Sequence, residues 1–166
     1  FDAKAVNLVR KMRDSLSQID IPNLPSNAQA IVFFELLCKE EDMEKRYEAL
    51  ATLLSKHHVS DDATWAGMDA SFIEKMKIVR HTVPESINNI IAKRKQQYPK
   101  IHKLGTDMAV PDAYLEMIIN FYKEEINTEK LEYAIFGHIG ENHLHVNIIP
   151  ANDKEVEVGE QLYMKF

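Results

Sequence analysis

The segment Gly137-His138-Ile139-Gly140-Glu141-Asn142-His143-Leu144-His145-Val146-Asn147-Ile148 gathers the side chains best suited to chemistry. From His143 onward polar and apolar residues alternate, with His143, His145 and Asn147 set against Leu144, Val146 and Ile148. Successive side chains of a strand point to opposite faces, so one face is core and the other carries two imidazoles and an amide. The preceding residues 131–136 also read as a strand, with Gly140 and Asn142 suited to a tight connection. A loop over residues 139–142 sets His138 opposite His143 and makes His145 a diagonal neighbour on the same face. Diagonal Cβ atoms lie roughly 7 Å apart, a gap that two imidazoles can close to share one cation. His138 and His145 are therefore the candidate metal ligands, and imidazole suits Zn, Mn, Fe or Co without choosing among them. His143 can serve as a general base toward a hydroxyl proton, or equally as a packed, hydrogen-bonded residue.

The remaining apolar spacing describes the elements that must hold this hairpin. Ala5, Leu8, Val9, Met12, Leu16 and Ile19 trace one helical face that stops at Pro22 and Pro25. Residues 28–37 read as a strand buried on both sides. Met43, Tyr47, Leu50, Ala51 and Leu54 mark an amphipathic helix. Phe72, Met76 and Val79 mark another that runs through Arg80, and Thr82-Val83-Pro84-Glu85 has the capping-box spacing of a new start. The run Lys93-Arg94-Lys95 reads as a solvated helix end. Residues 100–104 read as a short strand, Pro111 as the start of a helix with Leu115, Ile118, Ile119 and Tyr122 inward, and a last helix begins near Val156. Strands and helices in this order predict an α+β domain with a mostly antiparallel sheet covered on one face by helices.

These residues carry a resemblance. Gly-His-Ile-Gly-Glu-Asn-His-Leu-His-Val-Asn resembles the Gly-His-x-Gly-Asp-Gly-Asn-x-His-x-Asn signature of the FAD-linked oxidase C-terminal domain. That domain belongs to vanillyl-alcohol-oxidase-type flavoproteins, which include D-lactate, glycolate and D-2-hydroxyglutarate dehydrogenases. His102-Lys103-Leu104-Gly105-Thr106-Asp107-Met108-Ala109-Val110-Pro111 resembles the family's lysine followed by Asp-x-x-x-Pro, and Trp65 followed by Arg80 resembles its tryptophan-and-arginine region. The resemblance implies a ferredoxin-like sheet closing over FAD held by a separate N-terminal domain of the same parent chain. It implies that Arg80, with Asn147 and Lys103, binds the carboxylate of a small 2-hydroxy acid that is oxidised by hydride transfer to the flavin. A guanidinium suits that role because it offers two parallel donors to two oxygens. In metal-dependent members a third ligand comes from a downstream Glu-His-Gly segment beyond the last residue here.

Composition narrows the field. The chain has 166 residues, 45% hydrophobic and 28% charged, enough for one domain with a sizeable core over residues 1–166. A net charge of −6 without a long basic run argues against nucleic acid as a partner. No apolar stretch approaches the ~20 residues that span a bilayer, so an integral membrane protein is not expected. The single cysteine, Cys38, excludes an internal disulfide, fits a cytoplasmic location and reads as a buried structural thiol. With no initial Met and a last helix still running at Phe166, the chain reads as a piece of a longer one, inactive by itself. Two other classes remain open at this level: a non-redox module that holds a small acid or metal, and a metal-dependent hydrolase. A further ligand within the chain would favour the hydrolase.

Overall fold

The structure, a computed structural model, describes residues 1–13 and 24–166. The expected positions Leu16, Ile19 and Pro22 lie outside the described residues. The fold is α+β, with helices α1 (Ala3–Arg13), α2 (Met43–Lys56), α3 (Ala70–Lys95), α4 (Leu115–Thr128) and α5 (Asp153–Lys165) and one antiparallel sheet. Its strands are β1 (Leu104–Gly105), β2 (Met108–Ala109), β3 (Tyr133–His138) and β4 (His143–Ile148).

Strand β4 is central. On one side it pairs with β3 from Tyr133↔Ile148 to His138↔His143. On the other it pairs with β1 at Leu104↔Ile148 and with β2 at Ala109↔His143. The two short pieces keep one register, so they form a single edge strand interrupted at Thr106 and Asp107. The expected strand at residues 100–104 is thus displaced toward the C-terminus, because register is set by pairing with β4 rather than by the local apolar run.

The alternation along β4 sorts the layers. Leu144, Val146 and Ile148 join Tyr133, Ile135 and Leu104 in a cluster capped by Tyr122 and Ile126 of α4 and Leu162 of α5. Gly159 admits α5 at close range, since a Cβ there would lie 2.6 Å from Leu104 Cδ1. On the opposite face Ala134 packs beneath Ala5, Leu8 and Val9 of α1 and Met76, Val79, Val83 and Ile87 of α3, with Phe136 at the margin. Beyond Phe136 the same face carries the histidines. Burial raises the phenol pKa of both Tyr122 and Tyr133.

Several expectations are corrected. Helix α3 does not restart at Thr82: it runs unbroken through Pro84. Thr82 Oγ1 turns back to donate to the Ile78 carbonyl (2.9 Å), so it caps nothing ahead of it, and Asp69 is the cap, accepting from the Phe72 amide at 2.9 Å. Residues 28–37 form no strand ladder, although Phe1 and Ile31 exchange backbone hydrogen bonds at 3.0 and 3.1 Å. The outer edge of β3 is already held by Asp2, whose amide donates to Ile135 O and whose carboxylate accepts from Ile135 N. Val32 and Leu37 are accordingly 64% and 91% exposed, and Cys38 beside them is exposed, not buried. Helix α2 forms where expected yet buries none of its residues fully. Arg94 is not a solvated helix end. It donates to Ile149 O at 2.7 Å and pairs with Glu132 at 2.5 Å, pinning the end of α3 to the base of the hairpin.

Candidate functional site

The tip of the β3–β4 hairpin is built from backbone requirements. After His138 a single 3-10 turn, Ile139–Glu141, leads to Asn142 at φ +50°, in the left-handed region. Asparagine occupies that region more readily than most residues. Its side chain bonds to the Asp112 carboxylate and its carbonyl accepts from the Val110 amide at 3.3 Å. The segment after β2 therefore braces the turn.

This turn delivers the expected geometry. His138 lies opposite His143, their ring centres 5.9 Å apart. His145, on the same face, is 5.8 Å from His138 and 4.9 Å from His143. The three rings converge at the tip of the hairpin, with the His143 and His145 side chains 28% and 25% exposed.

The interruption of the edge strand adds a fourth group. At Thr106 the ladder is half kept: its amide donates to Val146 O at 3.0 Å, but Val146 N–H donates to the Thr106 hydroxyl (3.0 Å) instead of the carbonyl. The released Thr106 carbonyl stands 3.3 Å from His145 Nδ1. Asp107 then reaches across, with one carboxylate oxygen 2.6 Å from His143 Nε2 and 3.1 Å from His145 Nδ1. Ligand atoms of Asp107, His143 and His145 all lie within 4.8 Å of one another, an arrangement able to hold a cation. Periodicity could not have marked Asp107, because its role depends on a gap in a strand that alternation does not encode.

The other expected residues are distributed unevenly. Asn147 lies on the histidine face but is 3% exposed, and its amide donates to the His145 carbonyl at 3.2 Å. Gly105 opposite leaves room for it, since a Cβ there would lie 3.2 Å from Asn147 Oδ1 and 3.7 Å from Lys103 Cε. Lys103 and Asn147 are thus brought to the same spot. Arg80 is exposed on α3 and makes no hydrogen bond or ion pair among the described residues.

The profile of the FAD linked oxidases, C-terminal domain, covers residues 1–166. The chain belongs to that family. It is a domain of an FAD-dependent oxidoreductase, and FAD is the cofactor of the family. No curated protein and no solved structure matches it. Among the described residues no helix is long and apolar enough to cross a membrane.

Proposed function

We propose that residues 1–166 form the substrate-side domain of an FAD-dependent dehydrogenase or oxidase acting on a small 2-hydroxy acid. The observation that carries this reading is the convergence of His138, His143 and His145 on one sheet face, at the tip of the β3–β4 hairpin. Such a face suits closure over a flavin held by another domain of the parent chain. The residues here do not form a dinucleotide cradle: five glycines are scattered through the chain without a glycine-rich phosphate loop. When bound, FAD supplies the hydride acceptor.

Imidazoles are ligands that Zn, Mn, Fe or Co accept, and three of them meet on this face. His138 and His145 are the proposed ligands, and an ion there supplies Lewis acidity toward the α-hydroxyl. His143 takes the hydroxyl proton. Lys103 and Asn147, whose side chains both lie beside Gly105, hold the substrate carboxylate together with Arg80. A cytoplasmic location accompanies this reading, on the single cysteine of the sequence.

A metal-dependent hydrolase is the second reading, favoured by the carboxylate of Asp107 beside two histidines. Purification of the full-length protein separates the two. Flavin absorbance that bleaches anaerobically with D-lactate, glycolate or D-2-hydroxyglutarate supports the oxidoreductase, and a colourless protein that hydrolyses esters or amides with zinc supports the other.

A further inference from the structure

We infer that Asp107 is a positioning residue that fixes the protons of two histidines, holding His145 as its Nδ1–H form and His143 as its Nε2–H form. The argument begins with Thr106. A backbone carbonyl oxygen only accepts, so a ring nitrogen 3.3 Å from it forms a hydrogen bond only by carrying the proton. His145 Nδ1 faces that carbonyl and, at 3.1 Å, a carboxylate oxygen of Asp107 as well. Two acceptors on one nitrogen favour the proton there and leave Nε2 bare. At His143 the same carboxylate oxygen lies 2.6 Å from Nε2, close enough that this nitrogen must donate to it, and the bare nitrogen is Nδ1.

Both contacts arise from one local departure in the sheet. The Thr106 hydroxyl takes the place of its own carbonyl in the ladder, at 3.0 Å from Val146 N. This frees the carbonyl for His145 and turns the next residue, Asp107, over the histidine face. The 2.6 Å separation between Asp107 and His143 is that of a hydrogen bond, shorter than two donors each about 2.0–2.2 Å from one ion would keep. Asp107 therefore stands behind the imidazoles as the carboxylate that orients a metal-binding histidine does. The assignment of protons stands on geometry alone. Only its use rests on the proposed function, in which the bare Nε2 of His145 joins His138 as a ligand and the bare Nδ1 of His143 receives the hydroxyl proton.

The test is a long-range proton–nitrogen correlation on 15N-histidine-labelled protein freed of divalent ions, at a pH well above the ordinary imidazole value of about 6.5. The wild type should show the proton on Nδ1 of His145. Asp107→Asn, which retains an acceptor oxygen, should keep it there. Asp107→Ala should move it to Nε2, the form neutral imidazole favours in water. Asp107 is 74% exposed, so neither variant disturbs the core. An Nε2 proton on His145 in the wild type, or an unchanged Nδ1 proton in Asp107→Ala, overturns the proposal; in the second case the Thr106 carbonyl suffices. Zinc calorimetry on the same samples reads the functional assumption separately. Asp107→Ala should weaken zinc by roughly ten- to a hundredfold. A wild type that binds no zinc counts against the metal reading and leaves the proton assignment to stand or fall on the spectra.

Discussion

A Cβ on Gly137 would stand 2.2 Å from the backbone oxygen of His143, so these two residues can approach as they do only because one lacks a side chain. Gly137→Ala should push the strands apart at the point where the histidines meet. The expected cost is about 1–3 kcal/mol, as for other overpacked sites. Denaturant unfolding checks it, and a loss within error would mean that the hairpin can splay without cost.

Asn142 offers a paired test at the turn. Its φ of +50° disfavours alanine by about 1–2 kcal/mol, whereas glycine adopts it freely. Asn142→Ala should therefore lower stability clearly more than Asn142→Gly in equilibrium unfolding. Equal losses would assign the whole effect to the side-chain bond with Asp112.

Thr106 carries a buried obligation, because its hydroxyl receives the Val146 amide at 3.0 Å and both residues are buried. Thr106→Val strands that amide and should cost about 1–3 kcal/mol. Thr106→Ser, which keeps the hydroxyl, should recover most of it. A valine variant as stable as the wild type would show that the ladder can re-form through the carbonyl.

The hairpin was legible in the sequence for a physical reason. Strand alternation has a period of two, so His143, His145 and Asn147 had to share a face and His138 had to join them across a four-residue connection. Other features were invisible to local pattern. Thr82-x-x-Glu85 has capping-box spacing, but whether a threonine bonds forward or backward along a helix is settled by packing, and here it bonds back to Ile78. The apolar run 28–37 looked like a central strand, yet Asp2 already occupies the edge of β3 it would need. Asp107 joined the site through an interruption between β1 and β2 that no periodicity records.

Alkaline pH should weaken the fold. Burial raises Tyr122 and Tyr133 above their ordinary phenol value, so each contributes stability that is complete below the unfolded value of about 10 and is lost as pH rises through the folded one. Unfolding midpoints measured on either side of that range should fall at the higher pH. Tyr122→Phe should flatten part of the fall, and an unchanged slope would assign it to other groups.

Arg80 is exposed and makes no hydrogen bond or ion pair among the described residues, as a group waiting for a substrate carboxylate would be. In the full flavoprotein Arg80→Lys should raise KM for a 2-hydroxy acid by roughly ten- to a hundredfold, the loss of one charge-assisted hydrogen bond. An unchanged KM would remove Arg80 from the site.

The most direct measurement of the proposed function is the rate of anaerobic flavin reduction in the full-length enzyme, wild type against His145→Ala, with D-lactate, glycolate and D-2-hydroxyglutarate. At least one of these acids should bleach the wild-type flavin. The variant should keep its flavin spectrum and thermal transition, because the His145 side chain is partly exposed and on the face away from Leu144 and Val146, yet lose on the order of a hundredfold or more in the rate. A variant that reduces its flavin as fast as the wild type would contradict the assignment of the histidine face as the substrate site.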